Sequence, residues 1–131
     1  MAYIKYKELT KYFDFKEEIK IEDLPDYTLE YVAEGEQILG GYKTSRDYAV
    51  FTDKTMILFD RDLIKSYKKI HVIPYKSINT SAICFRPGRA EIFFSLESGY
   101  QMKIVFVNMN HDKKENLKVI YKMLVRNSVK A

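Results

Sequence analysis

The side chains that most often perform chemistry are few in this chain and lie far apart. The single cysteine, Cys84, stands between Ile83 and Phe85, where a small buried apolar residue is the simplest interpretation. His71 and His111 have no cysteine or carboxylate at the spacing of a metal site. No serine lies in a Gly-x-Ser-x-Gly context, and the glycines form no phosphate-binding motif. The sequence therefore predicts a protein without catalytic residues, metal or cofactor.

Clustered cations are the second feature that can bind a ligand. Residues 61–69 contain Arg61, Lys65, Lys68 and Lys69 against a single acid, with apolar side chains between them. Such a segment can attach to an anionic membrane, because each cation near the surface contributes about 1 kcal/mol. The alternative, and the more common use of a cluster of this size, is a solvated connector whose apolar residues fold back onto the body. Residues 61–69 are the best candidate anion site in the chain.

Lys43 and Arg46 flank the first predicted hairpin and form a smaller candidate anion site. The two cations could hold a phosphate, whereas the neighbouring Asp47 is expected to accept hydrogen bonds from backbone amides of the turn, and we favour this structural role.

Nucleic acid is a less suitable partner. Most of the 8 phenylalanines and 11 tyrosines fall at inward-facing strand positions or beside acids, which leaves few rings to stack on bases.

Length and composition indicate one domain. The 131 residues are 47% hydrophobic and 31% charged, which suits a buried core and excludes intrinsic disorder. No apolar run approaches the roughly 20 residues of a membrane-spanning helix. The first ten residues lack the apolar centre of a secretory signal, so we expect a cytoplasmic protein. We predict an extension at residues 1–25, followed by a domain at 26–131.

The net charge of +4 is unevenly distributed along the chain. Residues 1–34 contain five lysines and nine acids, whereas residues 35–131 contain 17 lysines or arginines and nine acids. Ordinary solvated surface charge is the favoured interpretation. Two alternatives stay open: the acidic segment lies against a basic body, or the basic body attracts phosphate-bearing partners and the segment moderates that attraction.

The apolar spacing predicts a mainly β chain. Short runs with a period of two, separated by turns rich in Gly, Pro, Ser and Asp, predict seven antiparallel strands. They lie at 37–43, 48–52, 55–60, 68–73, 80–86, 90–96 and 100–107. The Gly40–Gly41 pair indicates close strand packing or a bulge. A short helix is predicted at 26–33, and the first twenty residues fit either a strand or a helix.

The end of the chain changes to helical spacing. A helix is predicted at 112–127, with lysines on one side and an apolar stripe on the other that consists of Leu117, Ile120, Tyr121, Leu124 and Val125. Asp112 and Glu115 resemble its capping box. This amphipathic helix needs an apolar surface to cover, and the inner face of the predicted sheet provides one.

Several motifs between residues 35 and 78 occur together. They are Gly35-Glu36 before the first strand, Lys43 with Arg46-Asp47 at the first turn, Phe51-Thr52-Asp53-Lys54 leading into Ile57 and Asp60, and Ile73-Pro74-Tyr75-Lys76-Ser77-Ile78. In this combination the chain resembles the bacterial pleckstrin-homology-like (bacterial PH) domain family over roughly its last hundred residues. The resemblance implies the PH superfold, a partly open, seven-stranded antiparallel barrel capped by a C-terminal helix. It also implies a non-enzymatic binding or assembly module, often in ring-like homo-oligomers.

The strand predicted at 90–96 is apolar on both faces. One face can serve the barrel core, and the other needs a cover, which the helix, the N-terminal segment or a neighbouring copy could provide. Edge strands favour pairing with another copy, and the acidic first 34 residues suit a head-to-tail contact that can close into a ring. We therefore predict an oligomer interface at Ile92, Phe93 and Phe94, in a module whose protein partner the sequence does not identify. Adsorption to anionic lipid through residues 61–69 is the alternative function.

Overall fold

The computed structural model describes residues 14–44, 47–62 and 67–129. In these ranges it contains nine strands: β1 (Asp14–Phe15), β2 (Glu17–Ile19), β3 (Ile38–Lys43), β4 (Tyr48–Thr52), β5 (Thr55–Asp62), β6 (Tyr67–Pro74), β7 (Ile78–Arg86), β8 (Arg89–Leu96) and β9 (Gln101–Val107). A single α-helix, α1 (His111–Ser128), ends the described chain. Short 3₁₀ helices lie at Ile21–Asp23, Asp26–Leu29 and Tyr75–Ser77. The seven predicted strands correspond to β3 through β9.

The strands form two sheets, in the orders β1-β9-β8-β7 and β2-β3-β4-β5-β6. All pairs are antiparallel except β1 with β9, which is parallel. The chain passes from one sheet to the other at Lys16, whose backbone N–H donates to the Lys43 carbonyl at 2.9 Å. The two sheets are therefore joined along one pair of edges, at β1 and β2. Along the other pair of edges, β6 and β7 are the last of the described strands in their sheets. The arrangement confirms the predicted partly open barrel.

The main core lies between the two sheets and α1. At one end, the rings of Phe15, Tyr42, Phe51 and Phe106 lie 5.0 to 6.2 Å apart. The helix closes the other side with three residues of the predicted stripe, Leu117, Ile120 and Leu124, which are buried. Val125, which the spacing also assigns to the stripe, is 39% exposed. Full burial of each such side chain contributes about 1.5–3 kcal/mol. The helix therefore caps the barrel, as its spacing predicts.

A second apolar cluster covers the outer face of the five-stranded sheet. Val50, Ile57 and Phe59 point outward from β4 and β5 and are nevertheless buried, together with Leu24. The cover is the segment between β2 and β3, whose Tyr27 ring meets the Phe59 ring edge-on at 5.5 Å. Because this sheet is covered on both faces, β4 and β5 read as continuous apolar runs rather than as alternating patterns.

The Gly40–Gly41 pair confirms the predicted bulge, and the close contacts at these glycines come from side chains rather than from another strand. The β3–β4 register shifts between Ile38 and Gly40, which is a bulge. A Cβ on Gly40 would lie 3.0 Å from Ile120 of α1, and one on Gly41 would lie 2.7 Å from Leu24. The absence of a Cβ therefore makes room for an apolar side chain at each glycine. At Gly40 this is Ile120 of the main core, and at Gly41 it is Leu24 of the second cluster.

Two local predictions are wrong. The helix at 26–33 is a 3₁₀ helix at Asp26–Leu29 followed by a turn. Tyr27 and Leu29 both pack on the sheet, and two residues so close in sequence do not share a face of an α-helix. The N-cap of α1 is Asn110 rather than Asp112: its side-chain oxygen accepts a hydrogen bond from the Lys113 backbone N–H at 2.9 Å.

The amino-terminal residues that the sequence left as strand or helix are strands where they are described. Phe15, next to the crossing point at Lys16, is 1% exposed and lies in the main core. Leu24 lies in the second cluster. The division of the chain into residues 1–25 and 26–131 stays a prediction.

Candidate functional site

The outer face of the four-stranded sheet carries a group of cations around one acid. Glu91 is 2% exposed and is surrounded by three cations. Arg89 Nη2 lies 2.5 Å and Lys103 Nζ 3.6 Å from its Oε2, and Arg86 Nε lies 3.6 Å from Oε1. Lys103 Nζ also lies 5.6 Å from the centre of the Phe93 ring. We call Arg86, Arg89, Phe93 and Lys103 the basic sheet face. Three cations against one carboxylate leave it positively charged.

The ionisation of Glu91 follows from this setting. Burial acts to raise the pKa of its carboxyl, but the charge of Lys103, the hydrogen bond from Arg89 and the charges of Arg89 and Arg86 outweigh it, so the pKa is below its ordinary value. Glu91 is therefore ionised at neutral pH. It holds the three cations in one group on the sheet surface.

The opposite side of the molecule is acidic. Residues 17–36 contain eight acids and one lysine, and we call them the acidic segment. Six of the eight are exposed: Glu17, Glu22, Asp23, Asp26, Glu30 and Glu34. The segment packs on the outer face of the five-stranded sheet through Leu24 and Tyr27, so its charges point away from the basic sheet face, which lies beyond the core.

Lys43 lies at the border of this acidic region. It is exposed, with its Nζ 5.7 Å from the centre of the Tyr48 ring, and it lines a shallow cleft of about 330 Å³. The other lining residues are Glu17, Glu18, Ile19, Lys20, Asp23 and Tyr48. Carboxylates outnumber cations in this cleft. Arg46, the other member of the predicted pair, lies outside the described residues.

Asp47 confirms the structural role that its sequence position indicates. The side chain is 2% exposed. Its Oδ1 accepts a hydrogen bond from the Tyr48 backbone N–H at 2.9 Å and another from the Tyr27 hydroxyl at 2.6 Å. The second bond ties the start of β4 to the acidic segment.

The basic run at 61–69 is described only in part. The β5–β6 register places Arg61 opposite Lys68, and Asp60 opposite Lys69. Lys69 is exposed, whereas Lys65 lies outside the described residues. Three of the four cations in this candidate anion site are therefore brought to one end of a hairpin.

The predicted interface at Ile92, Phe93 and Phe94 divides between two faces of β8. Ile92 and Phe94 are 0% exposed in the main core, because β8 alternates and these two positions point inward. Phe93 points outward and is half-buried. Of the three, Phe93 alone has a side chain that another copy could contact.

Sequence reasoning missed the grouping around Glu91. A lone acid in an apolar strand commonly serves to prevent pairing with another strand, whereas Glu91 is the buried centre of an ion cluster. The alternation Arg89, Glu91, Phe93 carries a signal for a common face. Lys103 joins them only because β9 lies beside β8, with Phe93 opposite Lys103 in the register.

Cys84 and His71, the reactive side chains that the sequence singles out, lie on different strands of the described structure, β7 and β6. Cys84 is half-buried on β7, rather than buried as expected. His71 Nε2 lies 4.0 Å from Asp60 Oδ2, and burial is the main cause that lowers the pKa of this imidazole. Within the described ranges no group of three His, Cys, Asp or Glu side chains is arranged to hold a metal ion. In the same ranges no helix has the length and apolar character to cross a bilayer.

Comparisons with known proteins agree with this architecture. A family model described as bacterial PH domain matches residues 9–128. A crystal structure of a DUF1696-family protein with a pleckstrin-homology domain, from Shewanella loihica PV-4, aligns with a TM-score of 0.63 and 22% identity over 89% of this chain and 99% of that one. The pleckstrin-homology domain structure from Shewanella amazonensis SB2B aligns with a TM-score of 0.51 and 26% identity over 82% of this chain and 90% of that one.

Among curated proteins, the uncharacterized protein YjqA of Bacillus subtilis (strain 168) is 43% identical over 51 residues. That match spans 38% of this chain and 41% of YjqA, which is less than half of the length of either protein. A PH-domain-containing protein from Exiguobacterium sibiricum 255-15 aligns with a TM-score of 0.59 and 22% identity over 86% of this chain and 61% of that one. The likenesses therefore concern the fold of the domain.

Proposed function

Because this chain belongs to the bacterial PH domain family, we propose that it is a non-enzymatic module that binds proteins and assembles with further copies of itself. The family's fold is a scaffold for binding surfaces. Function on such a scaffold depends on the surfaces that it displays. Those of this chain are oppositely charged.

The observation that supports self-assembly is the position of these two surfaces. The acidic segment covers the outer face of one sheet, and the basic sheet face is the outer face of the other. Oppositely charged surfaces on opposite sides of one molecule can meet only between different copies, in a head-to-tail contact. Such a contact closes into a ring if its rotation permits, and otherwise continues as a filament. Phe93 lies in the basic sheet face, where it can contribute an apolar contact.

Light scattering coupled to size exclusion at micromolar concentration tests this proposal. We expect a mass above that of one chain, rising with concentration. Reversing charge on one surface, with Asp26→Lys, should weaken association, and so should Arg86→Glu on the other surface. A mixture of the two variants should recover it, because each supplies the surface that the other lacks. Glu97→Lys, at an exposed turn outside both surfaces, is the control. A single-chain mass at every concentration would refute self-assembly and leave the binding role in place.

A peripheral membrane adaptor is the second candidate function, and the β5–β6 register favours it. Arg61 lies opposite Lys68 in the register, and Lys69 follows on the same strand, so three of the basic positions lie at one end of a hairpin. Co-sedimentation with phosphatidylserine-containing vesicles at low and high salt tests it, since the attraction must weaken as salt screens it. Lys69→Glu should reduce binding, and Lys76→Glu, at the other end of β6, is the control. No binding at low salt would eliminate this function. A cytoplasmic location stays a prediction.

A further inference from the structure

Two arginines face each other at the end of the β7–β8 hairpin. The register places Arg86 directly opposite Arg89, on either side of the turn at residues 87–88. Directly opposite residues of an antiparallel pair project from the same face of the sheet, and like charges at such positions destabilise the pairing. The Arg86 side chain is 59% and the Arg89 side chain 40% exposed. The hairpin therefore holds two accessible cations together despite their mutual repulsion.

Glu91 satisfies only part of this group. Arg89 Nη2 makes a close contact with the carboxylate, whereas Arg86 Nε and Lys103 Nζ lie 3.6 Å from it, beyond the usual hydrogen-bond distance. Cys84, opposite Glu91 in the register, also interacts with Arg86. Arg89 Nε is shielded from solvent, and no described residue accepts a hydrogen bond from it. The group therefore has more donors than the described residues around it have acceptors.

The charges of the basic sheet face leave room for an anion with two negative charges. Glu91 is ionised, so the three cations around it retain two positive charges. A fourth cation lies beside the hairpin end, where Lys114 Nζ donates to the Arg86 carbonyl oxygen at 2.7 Å. A phosphate monoester carries about −1.5 to −2 at pH 7 and offers three strong acceptor oxygens. Its charge and its acceptors both match what this face lacks.

We propose that the basic sheet face binds the phosphate group of a phosphate monoester. Guanidinium groups hold phosphate oxygens in a bidentate geometry, and the hairpin presents Arg86 and Arg89 side by side. Lys103 adds a third positive charge, while the buried Glu91 keeps the cations grouped. The Phe93 ring, beside Lys103, is placed to contact an apolar part of the ligand.

This site is separate from the other candidate anion sites of the chain. The basic run at 61–69 belongs to the five-stranded sheet, and so does Lys43. The proposal does not rest on self-assembly, although the acidic segment of another copy would use the same surface. A phosphate monoester should therefore compete with self-assembly, since each carboxylate of the segment brings one charge whereas the phosphate brings two to a single point.

Titration of the full chain with phenyl phosphate, followed by amide NMR shifts, tests the site. Phenyl sulfate has a similar shape and a single negative charge, so it is the matched control. At neutral pH and equal ionic strength we expect phenyl phosphate to bind more tightly, with shifts centred on residues 84–93 and 103. Arg86→Gln should weaken binding about two- to fivefold, the effect of losing one exposed ion pair. Arg126→Gln, the same change at an exposed position in the last turn of α1, should leave binding unchanged.

Vesicles distinguish a dissolved ligand from a lipid headgroup. Phosphatidic acid carries a phosphate monoester, so phosphatidylcholine vesicles with and without phosphatidic acid are the probe. Co-sedimentation that is lost in Arg86→Gln would assign the bound phosphate to a lipid. Binding of phenyl phosphate without such co-sedimentation would assign it to a dissolved molecule.

The outcome for this site is independent of the outcome for self-assembly. Asp26→Lys reverses a charge on the acidic segment and leaves the basic sheet face intact, so this variant should bind phenyl phosphate at least as tightly as the wild type. A single-chain mass in light scattering would refute self-assembly without affecting the phosphate site. Equal affinity for phenyl phosphate and phenyl sulfate, or equal affinity of Arg86→Gln and Arg126→Gln for phenyl phosphate, would overturn the phosphate site.

Discussion

At the scale of single residues, the ion cluster around Glu91 makes a prediction about stability and pH. Glu91→Gln keeps the shape of the side chain but removes the charge that holds Arg86, Arg89 and Lys103 together. We expect a loss of about 1–2 kcal/mol in the free energy of unfolding at pH 7, because the cations are partly exposed and regain water. Urea denaturation of the two proteins measures this difference.

The pH dependence follows from the lowered pKa of Glu91. The pKa of the Glu91 carboxyl is lower in the folded chain than its ordinary value of 4.5. The ionised carboxyl therefore stabilises the fold at pH values above 4.5. That contribution is lost as the pH falls from this value through the folded-state pKa. The stability difference between the wild type and Glu91→Gln should therefore shrink as the pH falls below 4.5. A difference that is constant from pH 7 to pH 3 would contradict the ionised cluster.

The close packing at Gly41 leads to a second prediction about stability at the scale of single residues. A Cβ at this position would lie 2.7 and 2.8 Å from the two methyl carbons of Leu24. Gly41→Ala should therefore destabilise the fold by about 1–3 kcal/mol through overpacking. The double-mutant cycle with Leu24→Ala is the control, since the alanine at 41 should cost much less once the Leu24 side chain is gone. An equal cost in both backgrounds would assign the effect to the backbone instead.

At the scale of elements, two residues are candidates for the N-cap of α1, Asn110 and Asp112, and their substitutions distinguish them. Asn110→Ala removes the side-chain acceptor for the Lys113 N–H and should cost about 1 kcal/mol. Asp112→Ala removes only a charge in the first turn and should cost about 0.3–1 kcal/mol, more at low salt than at high salt. Thermal denaturation of both variants at high salt compares them. A larger loss for Asp112→Ala under those conditions would restore the capping box that the sequence indicates.

The buried stripe of α1 makes a stronger prediction. Leu124 is 0% exposed and Val125, the next residue, is 39% exposed. Leu124→Asp places an unpaired charge in the core and should cost several kcal/mol, on the order of 3–5. Val125→Asp makes the same chemical change beside it, where water reaches the carboxylate, and should cost about 1 kcal/mol or less. Equal stability of the two variants would mean that the helix does not cap the barrel.

At the scale of the whole molecule, the two opposite charged faces predict an assembly that depends on salt. Contacts between exposed charges weaken as the screening length falls from roughly 10 Å at 0.1 M to 3 Å at 1 M salt. The dissociation constant for self-association should therefore rise over this range. Sedimentation equilibrium measures it. An association that is unchanged or strengthened by salt would point to an apolar interface in place of the charged one.

Some features of this protein follow from local patterns in the sequence. The seven strands of the barrel and the buried stripe of α1 are periodic, and a period of two or of 3.6 directly indicates which side chains face the core. Asp47 at its turn and the Gly40–Gly41 pair are likewise local signals. The helix predicted at 26–33 is shorter and of the 3₁₀ type, at Asp26–Leu29, because its form depends on the sheet beneath it and not only on its own residues.

The sequence by itself determined the β-rich class, the single C-terminal helix and the uneven charge, since each depends on residues close together in the chain. The tertiary structure alone decided which charges meet. Lys103 joins Glu91 because β9 pairs with β8, and the acidic segment faces away from them because it covers the other sheet. It also decided which of the described strands come last in their sheets, since β7 does so only through the order of strands. The ends of the two sheets depend in part on contacts between residues far apart in the chain, such as the pairing of β1 with β9, and these contacts leave no local pattern.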